Sequence, residues 1–167
     1  MKEIGESKLS IKLLSDDTDG AKKSTEFIQG AWEKLPGLTV SNQNVPFKTR
    51  LQRSQSGNFD TVISAWNADF TDPISFLSLF TSDNSYNNGK YDSAAYDSAV
   101  KKAEGADSNN KSARWADMVA AEKQLMNDQG VIPIYQQASA TLTRSNLKGI
   151  IYNTAGSQYN LKYMSVK

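Results

Sequence analysis

The sequence predicts an α/β fold in which a mostly parallel sheet is flanked by helices. Short apolar runs of strand type alternate with stretches of helical spacing as far as Trp66. Turn and cap clusters separate them, at Asp16-Asp17-Thr18-Asp19-Gly20, Pro36-Gly37 and Gly57-Asn58. A β-α-β-α-β order of this kind takes right-handed crossovers and parallel pairing by default.

Each element has its own signal. Leu9, Ile11, Leu13 and Leu14 read as the first strand. Ile28, Ala31, Trp32 and Leu35 then recur at i, i+3, i+4 and i+7, a helix that Pro36-Gly37 stops. Residues 38–45 read as the second strand, and Pro46 opens a short helix through Leu51. Residues 59–66, with Thr61, Val62 and Ile63, make the third strand. Asp72-Pro73 supplies a cap and a first-turn proline for a helix carrying Ile74, Phe76, Leu77, Leu79 and Phe80. After an Asn- and Ser-rich loop at 81–90, helical spacing returns with Tyr96, Ala99, Val100 and Ala103. Ser108-Asn109-Asn110 caps one more helix, with Trp115, Met118, Val119, Leu125 and Met126, which Gly130 ends. Residues 131–135 read as a strand, as do 141–143, 150–152 and 159–164. Trp32 and Trp115, on helical stripes, are expected in the core.

Composition excludes several function classes. The chain has 19 Lys and Arg against 18 Asp and Glu, with no basic stripe, so nucleic acid is not an expected partner. It has no Cys and no His, which removes disulfides, thiolate metal sites and histidine base catalysis. No metal or other cofactor is expected. No stretch approaches the ~20 apolar residues of a membrane span, and Met1-Lys2-Glu3-Ile4-Gly5 has no apolar core of signal-peptide type.

The richest text is the run from Phe59 to Tyr91. Its strand runs straight into Trp66-Asn67-Ala68-Asp69, and the carboxyl end of a strand is where an α/β sheet holds ligands. Taken alone, Asp69 also fits a solvated or capping acid, and Trp66 a core residue. Asp72 is accounted for by capping. An enzyme reading would be a glycoside hydrolase using Asp69 with a second carboxylate and Trp66 as a stacking platform. The chain offers no Gly-x-Ser-x-Gly elbow, no glycine-rich phosphate loop and no metal-spaced cluster.

The text Trp66-Asn67-Ala68-Asp69-Phe70-Thr71-Asp72-Pro73 resembles the bacterial extracellular solute-binding proteins of the oligopeptide- and dipeptide-binding type (family 5), which feed ABC importers. Tyr91-Asp92-Ser93, Tyr96-Asp97, the helix around Trp115 to Met126 and Val131-Ile132-Pro133-Ile134-Tyr135-Gln136 continue the resemblance in order. It implies a lobe of the type II periplasmic-binding fold and a fragment of a longer, two-lobed protein. Residues 1–137 would form the ligand-binding α/β lobe. Residues 138–167 would complete the other lobe, with hinges near residues 5–8 and 137–139. By the same resemblance Asp69 pairs with the α-ammonium of an oligopeptide and Trp66 borders a side-chain pocket. The backbone from Ala65 to Asn67 would meet the peptide main chain, the Asn67 side chain carrying no role of its own. Gln137 lies where the chain passes the ligand; its plain reading is a polar residue at a strand end. The implied partners are the peptide, the missing first lobe and a membrane ABC permease. The implied location is outside the cell, lipid-anchored or periplasmic. Other members of this fold take other solutes or signalling peptides.

Overall fold

A computed structural model describes residue 5 and residues 7–167. Met1 to Ile4, read above for a leader, and Glu6, in the expected first hinge, lie outside the described residues. The chain divides into two compact units, Met1–Ala65 and Trp66–Lys167.

In the first unit, strand β1 (Leu9–Asp16), helix α1 (Asp19–Trp32), strand β2 (Leu38–Val45), helix α2 (Phe47–Gln55) and strand β3 (Thr61–Val62) follow the expected order. The sheet runs β2-β1-β3, with both pairings parallel. The pairing of β1 with β2 extends in register from Leu9↔Leu38 to Asp16↔Val45. Leu13, Leu14 and Val40 are buried. Thr18 caps α1 by accepting from the Ala21 amide at 3.3 Å. Farther along that helix, the Gln29 amide donates to the Val40 carbonyl at 2.8 Å, tying α1 to β2. Trp32 is half-buried. The third strand is shorter than the expected 59–66. At its start the Asp60 carboxylate takes the Lys12 amide of β1 at 2.8 Å. At its end one further bond, from the Ile63 amide to the Leu14 carbonyl at 2.9 Å, closes the ladder.

The second unit is mainly helical: α3 (Ile74–Leu77) continued by a 3-10 turn (Ser78–Phe80), α4 (Ala94–Glu104) and α5 (Lys111–Asn127). Ser93 and Asn110 cap α4 and α5 through their side chains. Ile74, Leu77, Tyr96, Val100, Ala103, Met118, Ala121 and Leu125 form its core. Gly130 sits close beneath that core, since a Cβ there would come within 2.7 Å of the Leu125 side chain.

Three expectations fail here. Trp115 is 59% exposed. The buried stripe of α5 runs through Met118, Ala121 and Leu125, and the position on its line one turn before Met118 is Arg114 rather than Trp115. Residues 131–135 form no strand: the segment has no paired neighbour among the described residues, and Ile132, Ile134 and Tyr135 are exposed. Residues 141–143 also remain unpaired as strand. The tail instead makes two small antiparallel ladders. Strand β4 (Leu147–Lys148) pairs with β7 (Ser165–Val166), and β5 (Ile151–Tyr152) with β6 (Tyr159–Asn160). Of the expected strand at 159–164, only Tyr159–Asn160 is one. Gly149 has φ +75, and a Cβ there would lie 1.9 Å from the Tyr163 carbonyl oxygen.

Candidate functional site

The site is best built from the turn that joins Trp66 to α3. Trp66 is half-buried and meets the Tyr86 ring edge-to-face, centroids 4.8 Å apart at 65°. Its indole Nε1 is buried and has no hydrogen-bond partner among the described residues. Tyr86 is placed by a loop that two asparagines organise. Asn84 accepts from the Tyr86 amide at 2.8 Å and donates to the Ser78 carbonyl at 2.8 Å. Asn87, buried, donates to the Thr81 and Tyr91 carbonyls and accepts from the Tyr91 amide. Side chains here substitute for backbone pairing, which is why an irregular loop holds one shape.

Two residues on, the Ala68 carbonyl accepts from the Gly156 amide at 2.7 Å, a strut from the tail. The Asp69 amide donates to the Ser75 hydroxyl at 2.9 Å. The Asp69 side chain is exposed, and among the described residues no hydrogen bond or ion pair engages its carboxylate. The segment thus fixes the backbone of Asp69 and leaves its charge unspent.

Asp72 behaves in the opposite way. Its Oδ1 accepts from the Ile74 amide at 3.0 Å, the capping role expected from Asp-Pro. The Arg114 guanidinium then grips it with both terminal nitrogens, Nη1 to Oδ2 at 2.8 Å and Nη2 to Oδ1 at 3.0 Å. That hydrogen-bonded guanidinium holds the Asp72 carboxyl below the usual carboxylate range, with the Ile74 amide adding to the effect against a cost of burial.

Trp66, Asn67 and Asp69 lie together on this turn, with Asn67 exposed. Ala65, exposed, ends the first unit. Gln137 is exposed in the extended stretch after α5, and no hydrogen bond joins it to the turn among the described residues. Sequence reading passed over Ser75, Tyr86, Arg114 and Gly156. Only Tyr86 carried a signal, as an aromatic in a polar loop; the others act across 6, 42 and 88 residues of separation that no periodicity reports.

Residues 2–88 match the family described as bacterial extracellular solute-binding proteins, family 5 Middle. A dipeptide-binding protein of Lactococcus lactis is 38% identical over 170 residues, covering 100% of this chain and 31% of that protein. The chain therefore spans about a third of the length of this curated relative. Among solved structures, Listeria monocytogenes OppA bound to peptide superposes with TM-score 0.84 at 38% identity, covering 99% of this chain and 31% of that one. A peptide-binding protein of a peptide ABC transporter reaches TM-score 0.75 at 50% identity, covering 79% and 59%. These neighbours carry the type II periplasmic-binding fold, and a parallel sheet flanked by helices is the part of it seen here. The chain belongs to the bacterial extracellular solute-binding proteins, family 5.

Proposed function

We propose that this chain is part of a protein that captures oligopeptides outside the cell and hands them to a membrane ABC importer, without catalysis and without a cofactor. Asp69 pairs with the α-ammonium of the peptide. The backbone from Ala65 to Asn67 offers N–H and C=O groups to an extended main chain, a pairing blind to sequence. Trp66 borders the first side-chain pocket, and Gln137 flanks the ligand where the chain passes it. Residues 1–137 act as one ligand-binding lobe, and residues 138–167 complete a second lobe supplied by the rest of the protein. The exposed Leu142, Leu161 and Tyr163 support that division, being apolar residues in want of cover. Closure of the two lobes by hinge motion excludes water from the Asp69 contact. The protein works lipid-anchored at the cell surface or in the periplasm.

The observation that carries this reading is the exposed Asp69 carboxylate, unpaired among the described residues on a backbone pinned by Ser75. An ammonium brought to it in a closed, dry cleft makes a charge-assisted hydrogen bond at its strongest. Calorimetry on the full-length protein tests it. Asp69→Asn is expected to weaken a peptide with a free amino terminus by ~2–5 kcal/mol, the usual cost of truncating one partner of a buried charge pair. The same peptide N-acetylated should bind wild type and variant alike. Equal wild-type affinity for the two peptides would remove the ammonium role from Asp69.

A further inference from the structure

We infer that Arg114 is a positioning residue for the ligand contact, although it sits on a different helix from the turn it controls. This rests on the proposed role of Asp69.

The connection is a short series of directed bonds. The Arg114 Nε donates to the Ala103 carbonyl at 3.1 Å, in a core residue near the end of α4. Its Nη1 and Nη2 hold both oxygens of Asp72, which itself accepts from the first amide of α3. The Ser75 hydroxyl, on that same turn and buried, accepts from the Asp69 amide. A planar fork with three donors in use fixes Asp72 in direction as well as distance, and that fixes where the first turn of α3 begins. Since Ser75 belongs to that turn, the direction in which Asp69 leaves the backbone is set from α5.

The geometry needs that support. α3 has only four residues before its 3-10 turn, and its core contacts, Ile74 and Leu77, lie beyond the Asp72 end that the fork holds. Pro73 donates no amide, so the Ile74 amide that Asp72 accepts is the first donor of the helix. Without the fork, Asp72 keeps its cap but loses its tie to α5, and the turn from Asp69 to Asp72 rests on the Ser75 bond and the Gly156 strut while Ile74 and Leu77 stay packed in the core. A charge displaced by a fraction of an ångström still attracts an ammonium, yet it no longer matches the ammonium's hydrogens.

Two conservative variants test this in the full-length protein, Arg114→Lys and Ser75→Ala. Lysine keeps the charge and much of the stem but cannot make the fork; alanine keeps the ion pair and cuts the last bond. Each is expected to weaken a free-amino peptide about ten- to hundredfold, the scale of a misplaced polar contact, while the N-acetylated peptide loses nothing. In parallel, NMR on this chain should show the Asp69 amide exchanging faster in both variants, with the amides of Ala121 and Leu125 unchanged. Equal losses for the two peptides, or an Asp69 amide that exchanges as in wild type, would overturn the inference. A wild-type protein that does not distinguish the peptides would overturn the Asp69 reading itself. The exchange measurement then still decides whether Arg114 positions the turn.

Discussion

Tyr96 bears on the platform beneath the candidate site, and its removal can be predicted in some detail. Its side chain is fully buried, and its hydroxyl donates to the Leu77 carbonyl at 2.5 Å, at the end of α3. There the carbonyls of a helix run out of internal donors. The ring also meets Tyr91 edge-to-face at 5.4 Å and 82°. Tyr96→Phe keeps the ring and deletes the bond, leaving a buried carbonyl short of a partner, so the expected loss is about 1–3 kcal/mol. At the size of this chain that lowers the melting temperature by about 2–4 °C per kcal/mol. Tyr96→Ala removes the ring as well and should cost about 3–5 kcal/mol. Alkali gives a second reading. Burial pushes the Tyr96 phenol above its ordinary value, with the neighbouring Tyr91 and Asp97 adding to the shift. A phenol raised in the folded state leaves stability intact below the unfolded value near ~10. Above it the unfolded chain loses a proton that the folded chain keeps. Stability then falls by about 1.4 kcal/mol per pH unit from this group until the folded phenol titrates. Tyr91 is raised as well, first by burial and then by its bond to Asp128, so Tyr91→Phe is the control that removes part of the same slope. Urea unfolding at pH ~8 and at several values above pH ~10 measures both effects. A Tyr96→Phe protein as stable as wild type at the lower pH, with an unchanged alkaline slope, would refute the keystone role of that hydroxyl.

Acid should act through Asp72. Its folded value is depressed by Arg114, so the stabilisation is present above the unfolded value near ~4 and is lost as pH falls through the lower folded value. Asp72→Asn is expected to lower stability at neutral pH and to flatten the acid limb below pH ~4 in urea titrations; a wild-type slope in the variant would sink this. Deleting residues 140–167 should leave a cooperative thermal melt, because the buried core of the second unit lies between Ile74 and Leu125. The same deletion removes the Gly156 strut on Ala68 and should loosen the turn at Trp66, read as a red-shifted Trp emission. A melt without cooperativity would place the tail within that core.

What was legible in the sequence was what local chemistry decides. The residues 38–45 strand, the Thr18 and Asn110 caps and the Asp72 cap follow from side chains acting within a few positions. Periodicity also gave the buried positions of α4, where Tyr96, Val100 and Ala103 share one face. It misplaced Trp115 because both it and Arg114 lie near the stripe, and hydropathy favoured the indole. The guanidinium took the inner position because it could satisfy its charge there on Asp72 and Ala103. Residues 131–135 read as a strand on apolar content alone; strand formation also needs a neighbour to pair with, which a single segment cannot reveal. For the site, the acid and the aromatic were visible as residue types next to a strand end. What orients them was not, since the Ser75, Arg114 and Gly156 contacts depend on how distant segments return.

The two acids of the turn also decide what kind of chemistry it can support. A glycosidase needs one carboxyl that keeps its proton near neutral pH and a second that stays free to attack or to activate water. Asp72 can be neither. Arg114 holds it ionised, against the demand on an acid. Both its oxygens are already occupied, Oδ1 by the Ile74 amide and one guanidinium nitrogen, Oδ2 by the other, against the demand on a nucleophile. Freeing Asp72 would unmake the α3 cap and the ion pair together. Asp69 is then the carboxylate of the turn left without a partner among the described residues, on a backbone held by the Ser75 hydroxyl and, through Ala68, by the Gly156 amide. A single carboxylate left free in this way is the arrangement that the proposed ammonium contact calls for.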